Sequence, residues 1–172
     1  MIILVGESGS GKTTAEKELE NKGFKRIVSY TTRPMREGEV DGVHYHFVTK
    51  GFFLHAIEGG FFAEHATYND NYYGTAKEDC VDDSVIIVEP QGLQQLQEHP
   101  DLKTTSFYLK ATELTRFQRM TISRNDSQEY ALKRILEDQK VFSGIEKEVD
   151  YVVNSNKPVE EVVSDILAIV RW

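Results

Sequence analysis

Apolar and polar positions follow two rhythms along this chain, and the rhythms alternate. Short apolar runs at 2–5, 24–29, 84–89, 104–109 and 151–153 read as β-strands. Between them, 14–21, 91–97, 115–122, 128–142 and 158–170 read as helices. The last is the clearest case. Val159, Val162, Val163, Ile166, Leu167 and Val170 follow i, i+3, i+4 spacing and form one apolar stripe, and Pro158 suits a first helical position. Strands alternating with helices predict an α/β fold with a parallel sheet covered on both faces. From about 31 to 75 the alternation breaks into a stretch rich in aromatics, Gly and polar residues. There 43–48 and 61–68 read as strands around a short helix near 52–58, and Asp41-Gly42 reads as a hairpin turn. This segment reads as a small β-rich insertion. Ligands of open α/β sheets bind beyond the carboxyl ends of the strands. An insertion after the second strand therefore hangs over whatever the loop after the first strand binds.

That loop carries the strongest chemical signal. Gly6-Glu7-Ser8-Gly9-Ser10-Gly11-Lys12-Thr13 fits the phosphate-binding pattern G-x-x-x-x-G-K-[ST] at every fixed position, between a buried strand and a helix. Such a loop turns backbone N–H groups around phosphate oxygens, and the helix N-terminus adds partial positive charge. Lys12 reaches the β- and γ-phosphates, and the Thr13 hydroxyl ligates Mg²⁺. The expected architecture is a P-loop three-layer sandwich.

Composition narrows the setting. The chain has 172 residues, enough for one domain with a substantial core, with 40% hydrophobic and 28% charged residues. Cys80 is the only cysteine, so no internal disulfide forms and a cytoplasmic location is expected. No secretory signal is expected, and no stretch approaches the ~20 apolar residues of a membrane span. A net charge of −8 argues against nucleic acid or an anionic membrane as a partner. Anionic ligands must then be held locally, and Lys25, Arg26, Arg33 and Arg36 form one basic cluster, which also reads as a solvated face. His44, His46, His55, His65 and His99 show no metal-ligand spacing with Cys80.

The run Val28-Ser29-Tyr30-Thr31-Thr32-Arg33-Pro34-Met35-Arg36-Glu37-Gly38-Glu39-Val40-Asp41-Gly42-Val43-His44-Tyr45-His46-Phe47 resembles the signature of guanylate kinases. Glu64, Asn71-Tyr72-Tyr73-Gly74-Thr75, Gln91-Gly92 and Asp150-Tyr151-Val152-Val153-Asn154 extend the likeness over nearly the whole chain. The resemblance implies transfer of the γ-phosphoryl of ATP to GMP or dGMP with Mg²⁺, on a core (1–30, 76–118, 128–172) bearing a GMP-binding insertion (31–75) and a helical lid (about 119–127). It implies ATP contacts at Gly6, Glu7, Ser8, Gly9, Ser10, Gly11, Lys12, Thr13 and Thr14, with Arg119 and Asn154 on the nucleotide and Thr13 on the metal. Ser29, Arg33, Arg36, Tyr45 and Tyr73 are implied to hold the GMP phosphate. Two guanidinium forks and three hydroxyls suit a dianion, although Tyr45 and Tyr73 taken alone also suit core aromatics. Glu64 and Thr75 match the guanine-reading pair. A carboxylate accepts from N1–H and the exocyclic amine, and a hydroxyl donates to O6. Sites built on such bonds reject the wrong base by roughly 10⁴-fold or more. Lys12, Arg33, Arg124 and Arg134 are the implied catalytic cations, while Arg119 and Arg124 otherwise read as surface arginines of helices.

Two departures stand out. Residues 120–127 lack the glycines usual in the family's lid, and their spacing differs by a residue or two. The third core strand ends Ile87-Val88-Glu89-Pro90-Gln91-Gly92. The family places two acidic residues one apart there, so Ile87 removes a carboxylate and Glu89 stands for the second. Glu89 either reaches the base or serves the metal side, and Mg²⁺ then relies on Thr13, nucleotide phosphates and water. The competing readings are a non-catalytic guanylate-kinase-like protein-interaction module and a related P-loop kinase with another acceptor. Oligomeric state is not legible.

Overall fold

The computed structural model describes residues 1–68 and 70–170, so the last two positions of the expected 1–172 domain lie outside the described residues. The chain order is β1 (Ile2–Val5), α1 (Lys12–Asn21), β2 (Lys25–Arg26), β3 (Tyr30–Thr31), β4 (His46–Phe47), α2 (Lys50–Glu58), β5 (Phe62–Tyr68), β6 (Asn71–Ala76), β7 (Ser84–Ile87), α3 (Pro90–Glu98), β8 (Thr105–Lys110), α4 (Glu113–Gln118), α5 (Gln128–Val141), β9 (Tyr151–Asn154) and α6 (Val159–Val170). A π-helical turn, Arg119–Ser123, follows α4 directly.

Five strands form the core sheet in the order β2-β7-β1-β8-β9, and every pairing is parallel. β1 is its central strand and all four residues are buried, as expected for a strand covered on both faces. Alternation decides which face each residue serves. Ile2 and Leu4 join Ala15, Leu19, Val162 and Ile166 under α1 and α6. Ile3 and Val5 join Leu93, Leu96 and Phe142 on the other side. Two helical layers around one sheet make the expected three-layer arrangement. α6 buries its predicted stripe, while Pro158 stands just before the helix and accepts from the Val162 N–H through its carbonyl.

The insertion is a second sheet, ordered β4-β3-β6-β5. Asp41-Gly42 makes no hairpin, because β3 and β4 run parallel. The 40–45 segment turns back on itself through Val43 N–H to Val40 O and Gly42 N–H to Tyr45 O. β3 and β6 were not foreseen as strands: β3 has two residues, and β6 carries Gly and Asn, which weaken a β-signal. The expected 24–29 strand shrinks to two ladder residues. An aromatic cluster stabilises the insertion, with Phe53 stacked on Phe62 at 4.4 Å and Tyr30 edge-on to Phe61 and Phe62. The sheet docks on α3, where the Gln95 side chain donates to His65 O (2.8 Å) and accepts from His65 N–H (3.0 Å).

Candidate active site

β1, β7, β8 and β9 all run the same way, so their carboxyl ends share one edge. The loop 6–13 leaves β1 at that edge, and Gly11 caps α1 in the left-handed region (φ 96°). Gly9 is left-handed too (φ 77°), and a Cβ there would lie 2.8 Å from the Arg116 carbonyl. Only glycine allows both the backbone angle and the approach.

The loop is fastened from behind by a buried ionic network. Arg116 is 1% exposed. Its guanidinium donates to Ser8 O (2.9 Å) and Asp138 Oδ2 (2.7 Å) and lies 3.0 Å from Glu7 Oε1. Asp138 Oδ2 also accepts from Ser8 N–H at 2.7 Å, and Glu7 Oε2 accepts from Tyr108 O–H at 2.8 Å. Arg119 donates to Gly9 O, Ser10 O and Ser155 O. Arg134 donates twice to Ser8 Oγ, at 3.1 and 2.8 Å. Buried charges persist only when paired and hydrogen-bonded, and Arg116 meets two carboxylates and a loop carbonyl. The Glu7 side chain therefore points into the fold rather than toward the loop's open side. The Ser10 hydroxyl is buried, with no hydrogen-bond partner among the described residues.

Lys12 folds onto its own loop and donates to Gly6 O and Glu7 O. Burial lowers its pKa to about 8, opposed by the charges of Glu89 and Asp138. Glu89 is solvent-exposed and stands at the N-cap position of α3, its side chain making no capping bond. Protein atoms crowded around its carboxyl still raise its pKa, with Lys12 as the first opposing charge. Glu89 thus lies within electrostatic reach of the phosphate loop. Ile87 pairs with Leu4 and packs against the apolar cluster under α1 and α6. Thr13 and Thr14 are exposed in the first turn of α1.

A cleft of about 500 Å³ opens beside the loop, lined by Gly9, Gly11, Thr14, Arg119, Arg124 and Lys157, with Ala15, Val159 and Val162 as an apolar wall. The exposed Arg124 follows the π-helical turn and is close enough to depress the Lys12 pKa further. Asn154 is not among the cleft residues, and its Oδ1 accepts from the Asn156 backbone and side-chain amides.

The insertion presents two polar features. Thr75 and Glu64 are buried, and Thr75 O–H donates to Glu64 Oε1 at 2.6 Å. A one-residue bulge between Phe62 and Glu64 sets this register, so Glu64 faces Thr75 rather than Gly74. Burial raises the Glu64 pKa, and the Thr75 bond opposes the shift. A Cβ on Gly92 would lie 2.9 Å from Glu64 Oε2, so this glycine makes room for the carboxylate. The second feature is a polar and aromatic group at the 33–47 loop. Arg33 makes a bidentate pair with Glu39 (2.6 and 3.0 Å). Its Cζ lies 5.5 Å from the Tyr45 ring centre, and Tyr73 lies edge-on to Tyr45 at 6.0 Å. Arg36 is exposed and half-buried Ser29 precedes β3. The structure thus gathers Arg33, Tyr45 and Tyr73 at one end of the insertion and joins Glu64 with Thr75 against α3.

The family model for guanylate kinase matches residues 1–171. The chain belongs to the guanylate kinase family. Curated guanylate kinases of Wolinella succinogenes and Helicobacter pylori are 37% and 35% identical to it. Each alignment covers 99% of this chain, and 83% and 86% of the two relatives respectively. The crystal structure of guanylate kinase from Anaplasma phagocytophilum shares the fold with a TM-score of 0.71 at 24% identity, over 99% of this chain and 84% of that one.

Against the guanylate kinase expectations, the arginines divide. Arg116 and Arg119 grip loop carbonyls, Arg134 holds the Ser8 hydroxyl, and Arg124 alone of the four is solvent-exposed. Asp138, Ser155 and Glu39 were missed by sequence reasoning. Asp138 had a readable signal, four positions after Arg134 on one helix face. Ser155 and Glu39 lie in irregular segments with no periodicity to expose them.

Proposed function

We propose that this member of the guanylate kinase family transfers the γ-phosphoryl of ATP to GMP, with the acceptor held between the Arg33 loop and the Glu64–Thr75 pair. The observation that carries the reading is that buried pair. A desolvated carboxylate bonded to one hydroxyl keeps lone pairs for two further donors, and the Watson–Crick edge of guanine supplies two at that spacing. Adenine offers no N1–H and no 2-amino group, so it would strand a buried acceptor. The Thr75 hydroxyl, which donates to Glu64, rotates to meet O6.

ATP lies along the loop 6–13, its base in the cleft walled by Ala15, Val159 and Val162. Lys12 exchanges the loop carbonyls for β/γ oxygens, which restores the charge that burial disfavours. Thr13 would hold a hydrated Mg²⁺ through its hydroxyl, and Glu89 belongs to the GMP side of the site. When bound, such an ion would supply charge neutralisation on the phosphoryl oxygens. A GMP phosphate oxygen forms the new bond to the γ-phosphorus as the β–γ bridging oxygen leaves with ADP. Arg124 and Arg134 stabilise the equatorial oxygens, and segment 119–127 acts as the lid over core 1–30, 76–118 and 128–172. Closure excludes water, which would otherwise hydrolyse ATP. A cytoplasmic location belongs to the same reading. The intact phosphate loop weighs against a purely scaffolding role.

An ADP-release assay with ATP, Mg²⁺ and each of GMP, dGMP, AMP, CMP and UMP tests the reading. Turnover is expected with GMP and dGMP only. Equal turnover of AMP would sink it.

A further inference from the structure

The 33–47 loop of the insertion contains a carboxylate whose job the reaction does not require. Glu39 accepts from Arg33 Nη2 at 2.6 Å through Oε1 and from Arg33 Nη1 at 3.0 Å through Oε2. Its Oε2 also accepts from the Arg36 backbone N–H at 2.7 Å. Arg33 Nη1 gives its second proton to Pro34 O at 2.8 Å. Three of the five guanidinium protons are thus committed. The other two, on Nε and the outer position of Nη2, have no hydrogen-bond acceptor among the described residues. They are parallel and share one edge of the plane. That edge is the second bidentate face of a guanidinium, matched to two oxygens of a phosphate.

The rest of the guanidinium is boxed in. Its side chain is 12% exposed, and Tyr45 and Phe47 lie 5.5 and 5.6 Å from Cζ. Glu39 is itself fixed by a turn, its own N–H donating to Arg36 O at 3.1 Å. The Arg33 fork and the Arg36 amide hold the Glu39 carboxyl down to about 2, so it stays ionised at any working pH.

We propose that Glu39 is a positioning residue of the acceptor-phosphate site: it grips the end of the Arg33 fork, leaves the Nε/Nη2 edge as the bidentate phosphate donor, and closes residues 33–39 so that Arg33 and Arg36 serve one anion. The inference rests on the reading of this pole as the GMP phosphate site. It differs from a placeholder role, in which Glu39 would occupy the phosphate position and have to be expelled. The free edge makes expulsion unnecessary.

The test is steady-state kinetics of Glu39→Gln with GMP and ATP varied separately. A neutral amide cannot accept both fork protons, so the KM for GMP should rise roughly tenfold or more, with the KM for ATP and kcat changed by no more than about threefold. In an Arg33→Ala background the same change should add little, because Glu39 acts through Arg33. Glu39→Asp, which keeps the charge, should fall between, and it serves if the Gln variant does not fold. A lower KM for GMP in Glu39→Gln overturns positioning in favour of a competing anion. Equal rises in both KM values with a lower unfolding temperature overturn it in favour of general structural support. An unchanged KM for GMP overturns it alone, whereas a wild-type protein that does not phosphorylate GMP overturns both this inference and the reading beneath it.

Discussion

The phosphate loop is fastened from behind by side chains more than a hundred residues away, Arg116 on Ser8 O and Asp138 on Ser8 N–H, whereas the Arg33 loop is fastened by a carboxylate six residues along the chain. The first region is buried and long-range, with a fully paired Arg116 at its centre. The second is partly exposed and local, on strands of two residues that add few ladder bonds. The contrast follows from what each must do. A loop that wraps phosphates with backbone N–H groups needs its shape set before the ligand arrives, since preorganised dipoles are what stabilise developing charge. The Arg33 loop is held instead by bonds within its own segment, so its shape rests on local contacts.

The sharpest way to break the comparison is Arg116→Met. It strands the Glu7 and Asp138 carboxylates in the interior, and removing one partner from a buried ionic network costs about 3–5 kcal/mol. Urea unfolding should show that loss, with the midpoint falling while the slope stays near wild type. A loss below about 1 kcal/mol would mean that the network is no more than a surface pair. Lys12→Ala comes next and should separate stability from function. Its partners are loop carbonyls, and the buried cation is itself disfavoured. Transfer should fall at least about a hundredfold, with the unfolding midpoint within roughly 0.5 kcal/mol of wild type.

The smallest effect probes the joint between the regions. Arg26 on β2 lies 4.0 Å from Glu16 of α1 and also donates to Val43 O in the insertion. Burial raises the Glu16 pKa to about 7, with Arg26 opposing. A raised carboxyl pKa favours the protonated folded state. The stabilisation is full below about pH 4.5 and is lost as pH rises through about 7. Unfolding at pH 5 and pH 8 should therefore differ in the wild type by a Glu16 contribution on the order of 2 kcal/mol, and Glu16→Gln should remove that difference. An unchanged pH profile in the variant would place the titration elsewhere.

Legibility from sequence followed the range of the interactions. β1 and α6 were readable because four apolar residues in a row and a helical stripe are local patterns. The loop 6–13 was readable because its glycines, lysine and threonine act at fixed backbone spacing. The 40–45 segment was misread because Asp41-Gly42 is a turn signal whatever strands lie beside it, and the partner of β4 proved to be the parallel β3. Arg116 looked like its neighbours on a helix. Nothing local distinguishes a buried arginine until Glu7 and Asp138 arrive from both sides.

The sequence by itself determined the α/β alternation and the phosphate-loop pattern, because backbone geometry and hydrophobic period act over a few residues. Only the tertiary structure decided what each charged side chain does. It turned Glu7 inward, gave Arg116 and Arg119 to the loop carbonyls, set Glu64 opposite Thr75 through a bulge, and set Glu39 on the end of the Arg33 fork. Charge pairing depends on distance and burial, and both are properties of the folded chain rather than of its order.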